Sequence, residues 1–197
     1  MKKTMTVNLG GMVYHIDDDA FDVLKKYLES IKNELKNIDT NDEIYNDIES
    51  RISELLNERM GTTKQVVTVK DVEEIIVIMG QPGDISGNSG ADQEYTYRKK
   101  PGKRMYRDTD NRIIGGVCSG LAAYWRVDPT IVRIIFILLA IFGMAGVLIY
   151  LILWIVMPEA NTVAQKLEMR GEPVNLSSIR DFFVNEFENV KRSFSKK

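Results

Sequence analysis

Cysteine and histidine are nearly missing from this chain: Cys118 and His15 are the only ones of their kind. A lone thiol forms no intrachain disulfide, which excludes a small secreted domain stapled by disulfides and fits a cytosolic or membrane setting. The same counts exclude a structural zinc site built from Cys and His. Excess charge is missing too: 26 Lys and Arg against 28 Asp and Glu leave a net charge of -2. The whole chain therefore carries no electrostatic signature of nucleic-acid binding. No apolar run of signal-peptide length follows Lys2 and Lys3, so residues 1 to about 110 are expected in the cytosol. No nucleophile–base pair, metal cluster or phosphate loop is visible in the sequence. An enzyme is not expected, nor a cofactor.

What is present is segregated. The mean hydropathy of -0.17 averages a polar, charged first 110 residues with an apolar block between Ile113 and Met157. In the polar part, TMTVNLGGMVYHI alternates around Gly10-Gly11. Two glycines can take the positive φ angles of a two-residue turn, so a β-hairpin of Met5–Leu9 and Met12–Ile16 is expected, with His15 on its surface. Asp17, Asp18 and Asp19 lack the glycine and terminal Glu of a calcium loop and read as a cap with favourable charge at a helix start.

Phe21, Leu24, Leu28, Ile31, Leu35 and Ile38 then recur at spacings of 3, 4, 3, 4 and 3. This is the apolar stripe of one amphipathic helix. Thr40-x-x-Glu43 caps a second helix with Ile44, Ile48, Ile52 and Leu55 on one face. Thr68-x-x-Asp71 caps a third, carrying Val72, Ile75, Ile76 and Met79, which Gly80 and Pro82 end. Residues 1–85 thus predict a small α+β domain, a hairpin with three helices, suited to binding a protein partner. Its last helix and the turn Gly80-Gln81-Pro82-Gly83-Asp84 resemble the HAAS-type helical domains of bacterial membrane signalling proteins.

Residues 86–104 read as a flexible linker that turns basic, its Gly, Ser and Asp giving way to cations. Arg98, Lys99, Lys100, Lys103, Arg104 and Arg107 include no acid among them and stand close to the apolar block. They are expected to meet anionic lipid headgroups; nucleic acid is the disfavoured partner, since no recognition helix accompanies the charge.

The stretch 113–125, IIGGVCSGLAAYW, has helical spacing but is too short to cross a hydrocarbon core of about 30 Å. It predicts an interfacial helix, with Trp125 at the headgroups and Gly116 and Gly120 allowing close helix–helix approach, beside Gly115. Asp128 can cap a new helix that begins at Pro129, and Arg133 is the last charge before an apolar run. Ile134 to Met157 is 24 residues, about 36 Å as one helix, and the favoured reading of 130–157 is a single tilted span. Gly143 and Gly146 leave an alternative, a break into two half-helices forming a hairpin.

The sequence YRDTDNRIIGGVCSGLAAYWRVDPTIVRIIFILLAIFGMAGVLIYLILWIVMP, residues 106–158, closely resembles the phage shock protein C (PspC) domain. The resemblance rests on Arg-Asp-x-x-Asn-Arg-x-Ile-x-Gly-Val-Cys-x-Gly-Leu-Ala, on Asp-Pro-x-x-Val-Arg, and on the apolar run with its Gly-rich middle and final Pro. It implies an all-α domain over 105–159 in the bacterial inner membrane, and an envelope-stress response relayed by protein contacts to a cytosolic effector or regulator. Cys118 falls at a motif position but has no activating partner in view, and packing is its expected role.

Residues 160–197 form a tail with an amphipathic helix over 177–194, striped by Ile179, Phe182, Phe183, Phe187, Val190 and Phe194. It is suited either to a membrane surface or self-association, or to packing on the same chain. Lys and Arg number nine in 98–133 against five in 159–194, which puts the N-terminus inside and the tail of a single span outside. The expected protein is a non-enzymatic inner-membrane sensor or regulator whose partners are the bilayer, a cytosolic stress protein and a second copy of itself. Its rivals are a membrane-tethered transcriptional regulator and an assembly scaffold. In the sensor reading, helix 113–125 shifts depth or dimer packing, and Leu at Gly116 and Gly120 abolishes signalling without affecting insertion.

Overall fold

The computed structural model describes residues 3–36, 38, 41–61, 65–86, 102–141 and 145–194. Arg98, Lys99, Lys100, the Thr40 cap and Gly143 lie outside the described residues. The chain divides into two compact units, one formed by the N-terminal part together with residues from Asn175 onward, the other ending at Val174.

The first unit is α+β. Strands β1 (Thr4–Leu9) and β2 (Met12–Asp17) pair antiparallel, with Leu9 opposite Met12 and Thr4 opposite Asp17. Gly10 and Gly11 have φ of 56° and 80°, the left-handed pair that a two-residue hairpin turn needs. Helices α1 (Asp18–Leu35), α2 (Asn41–Met60), α3 (Val69–Met79) and the short α4 (Gly83–Ser86) follow. The apolar stripes point inward: Leu24, Ile31, Leu35, Ile44, Ile48, Ile52, Val72, Ile75 and Met79 are buried. The Asp71 carboxylate accepts from the Thr68 backbone N–H at 2.8 Å, closing the expected cap of α3. Asp84 accepts from the Gln81 N–H at 2.8 Å, and the Tyr27 hydroxyl donates to the Gly80 carbonyl at 2.8 Å, so the Gly-x-Pro-x-Asp turn is tied to α1.

One pairing has no counterpart in the alternation of the sequence. Val67 donates to the His15 carbonyl at 2.8 Å and accepts from Asp17 N–H at 3.0 Å, so Val67 covers the outer edge of β2 at Ile16.

Helix α9 (Leu176–Phe194) also belongs to this unit, packed on α2 and α4. Leu176 and Ile179 are fully buried, whereas Val184 and Phe187 are exposed. Of the two expectations for the Phe-striped tail, packing on the same chain holds for its first turns. Its Asn175 cap accepts from the Ser178 N–H at 2.9 Å.

The second unit contains α5 (Val117–Trp125), α6 (Pro129–Ile141), α7 (Ala145–Val156) and α8 (Val163–Arg170). Here the single helix expected over 130–157 is instead two, α6 and α7. Gly146 lies against Leu139 and Ala140, the Phe136 and Tyr150 rings meet edge-on at 5.5 Å, and Val132 shares a buried cluster with Met157. Partners that run in opposite directions along the chain define an antiparallel helical hairpin. The physical reason is Gly146: a Cβ there would stand 2.7 Å from Leu139 Cβ, so only glycine lets α7 fold back so closely on α6. Among the described residues no helix is long and apolar enough to cross a membrane. The helix α8, which the tail reading lacked, is held by a Thr162–Gln165 capping box and ends at Gly171 in the left-handed region.

Candidate functional site: a polar clasp beneath an apolar hairpin

The root of the hairpin is a set of hydrogen bonds centred on Arg107. Its backbone N–H donates to the Pro158 carbonyl at 2.8 Å and its own carbonyl accepts from Ala160 N–H at 3.0 Å. Its guanidinium donates to the Met157 carbonyl at 2.9 Å and the Gly115 carbonyl at 3.4 Å, and pairs with Glu159 at 3.1 Å. A planar fork of donors suits several acceptors at once, which a lysine could not reproduce. Arg107 thus fastens the end of α7 to the segment that precedes α5. The cation expected at lipid headgroups therefore has partners within its own unit.

The next motif residues shape the loop. Asp108 is buried; its Oδ1 accepts from Asp110 N–H at 3.0 Å and its Oδ2 from the Asn111 amide at 3.3 Å. Such a carboxylate turn fixes the backbone locally. The Asn111 carbonyl then receives the Ser119 hydroxyl at 3.2 Å and the Arg133 guanidinium at 3.1 Å, linking the loop to α5 and to α6 together. From the same stretch, Thr109 donates to the Ala160 carbonyl at 3.2 Å, Lys166 pairs with Asp110 at 2.7 Å, and the Tyr106 hydroxyl donates to Glu168 at 3.2 Å. Burial is the main cause that pushes the Tyr106 phenol up from its usual range.

The glycines serve this clasp. Gly116 has φ of 75° and caps α5; a Cβ on it would overlap the Asp108 carbonyl oxygen, and one on Gly120 would overlap that of Tyr106. The close contacts of Gly116 and Gly120 in this unit are with the backbone of residues 106–108. Gly115, with φ of 58°, lies under the Trp154 indole, whose Nε1 would be 2.9 Å from an added Cβ. The Tyr150 hydroxyl donates to the Ile114 carbonyl. Residues 113–116 accordingly lie outside α5, along the last turns of α7, which shortens the helix expected over 113–125.

Asp128 accepts from Thr130 N–H at 2.7 Å, and bonding to Thr130 holds its carboxyl below the usual range. Pro129 opens α6 as expected. Trp125 stands 58% exposed at the end of α5. Lys103 donates to the Tyr124 carbonyl at 2.8 Å, its ammonium 5.6 Å from the Tyr124 ring centre, and Arg104 stands 4.0 Å from Glu168. Burial pushes the Cys118 thiol up, so it is not activated, and it packs beside Val117, Leu121, Val132 and Met157.

Above the clasp, α6 and α7 are apolar on every side. Ile134, Ile135, Ile137, Leu138, Leu148, Leu151, Ile152 and Ile155 are all exposed. A water-soluble helix pair would bury one stripe and show a polar one. These exposed side chains belong to the apolar run visible in the sequence. The clasp partners Asp108, Asn111, Ser119 and Glu159 have no periodic signal in the sequence, although the first two stand in the Arg-Asp-x-x-Asn-Arg motif.

The sequence profile of the PspC domain matches residues 103–160. The uncharacterized membrane protein YvlC of Bacillus subtilis (strain 168) is 40% identical over 53 residues, which is 26% of this chain and 82% of that protein. No solved structure matches. The matched residues are those that build the clasp and the hairpin, and the chain belongs to the PspC domain family.

Proposed function

We propose that this protein is a non-enzymatic inner-membrane regulator of an envelope-stress response of the phage-shock type, with the hairpin unit in the bilayer and the α+β unit as its protein-binding part. The observation that carries the reading is the α6–α7 hairpin, apolar on all faces and rooted in a polar clasp. Exposing so many large aliphatic side chains to water is costly, at roughly 25 cal/mol for each Å² left uncovered. Acyl chains remove that cost. The membrane-protein relative and the PspC match agree with this placement.

The α+β unit supplies the other half of the proposal. Its surface bears exposed Lys, Glu and Asp side chains on α1, α2 and α3, together with an outer edge of β1 that pairs with no described strand. Such features suit reversible protein contacts. The test is photo-crosslinking in living cells from exposed positions of this unit, Lys25 and Glu73, with and without envelope stress. Capture of a cytosolic effector or regulator whose yield changes with stress is the expected result. Capture that is the same in both conditions would favour a scaffold and overturn regulation.

A further inference from the structure

We infer that the α6–α7 hairpin enters a single leaflet and turns back, so that the N-terminal part of the chain and α9 lie on one face of the membrane. The inference rests on the membrane placement proposed above and adds the topology.

Three observations carry it. The first is the direction of the chain: residue 146 meets 139 and 140, and 150 meets 136, so the apolar run returns towards its starting level. The second is that both ends of the run are fastened to one clasp. Arg133, near the start of α6, donates to the Asn111 carbonyl, while Arg107, four residues earlier than Asn111, holds Met157 and Glu159 at the end of α7. A spanning helix would place those ends about 36 Å apart. The third lies in the other unit. Leu176 and Ile179 of α9 are fully buried where α9 packs on α2 and α4, although the whole hairpin lies between α9 and those helices in sequence. A bilayer cannot divide a single packed core, so both chain segments that build it share a compartment.

The dimensions agree. Helix α6 has 13 residues and α7 has 12, rising about 18–20 Å. That exceeds half of a hydrocarbon core of about 30 Å and falls well short of the whole. The occupant of the apolar surface is thus the acyl-chain region of one leaflet. Ile113 and Ile114, each more than 70% exposed beside the last turns of α7, and Trp125 widen the wedge near the headgroup level.

The test is labelling of the full-length chain in sealed membrane vesicles of each orientation, with a membrane-impermeant maleimide. Single cysteines replace Lys70, Glu186 and Ile141, each in a Cys118→Ala background and again with Cys118 retained as a check on folding. Lys70→Cys and Glu186→Cys should label in the same vesicle orientation and be protected in the other. Ile141→Cys should stay unlabelled in both until detergent is added. Labelling of Lys70→Cys and Glu186→Cys from opposite faces would overturn the inference in favour of a single span. Labelling of Ile141→Cys from the face opposite Lys70→Cys would overturn it in favour of full crossing. If the chain instead washes off the membrane at high pH and Ile141→Cys labels freely, the membrane placement itself falls and the topology with it.

Discussion

At the scale of single residues, the clasp depends on what cannot be added as much as on what is there. Gly120 has no room for a methyl group, because the Tyr106 carbonyl occupies it. Gly120→Ala should therefore destabilise the hairpin unit by about 1–3 kcal/mol, the usual cost of overpacking. Thermal unfolding in detergent reads this, and an unchanged midpoint would refute the geometry. It also revises the outcome expected from sequence for Leu at Gly116 and Gly120: loss of signalling would come with loss of folding, and insertion would not be spared. Cys118 gives a pH signature. Burial raises its thiol, so the native state holds the proton to higher pH than the unfolded chain. Stability from this group is full below the ordinary thiol value of about 8.5 and is lost as pH climbs through the raised native value. The rate of alkylation against pH should rise later in the native protein than in the unfolded one; coincident curves would contradict this. The roles of Asp108, Asn111 and Arg107 could not be read from the sequence, because side chain to carbonyl bonds between residues up to 50 positions apart leave no periodicity.

At the scale of elements, patterns with a period were legible and folded as expected. The 3,4 stripe of α1, the Gly-Gly turn and the Thr68–Asp71 cap each rest on local geometry. The hairpin of α6 and α7 was legible only as an alternative, since 24 apolar residues satisfy both one long helix and two short ones. What decides is a steric contact, Gly146 against Leu139, that composition does not reveal. The helix α8 has a local signal in the sequence, the capping box Thr162-x-x-Gln165. For α9 the stripe was visible but its partner was not. Ile179 is fully buried, so Ile179→Asp should cost several kcal/mol, as an unpaired buried charge does. Hydrogen exchange should then rise throughout α9 while α6 and α7 keep their protection. Unchanged exchange in α9 would show that it is not packed on this unit.

At the scale of the whole molecule, the two units divide the physical work. One has the composition and core of an ordinary polar α+β domain. The other turns an apolar surface outward and keeps its polar groups in the clasp. The overall α+β class and the PspC resemblance were available from sequence, because both rest on runs and motifs; the sharing of one unit between the two ends of the chain was not, because long-range packing is silent in a linear pattern.

Depth-dependent fluorescence quenching shows whether the α6–α7 hairpin is bathed in lipid. The chain has two tryptophans, Trp125 below the hairpin and Trp154 near its root, and Ile141→Trp in a Trp125→Phe, Trp154→Phe background adds a reporter at the far end of α6. In vesicles containing lipids brominated at different depths, Ile141→Trp should be quenched most strongly by bromines near the chain ends, Trp154 by bromines nearer the headgroups, and Trp125 by the shallowest. Emission at the wavelength of tryptophan in water, with no quenching from any depth at Ile141→Trp, would contradict the account.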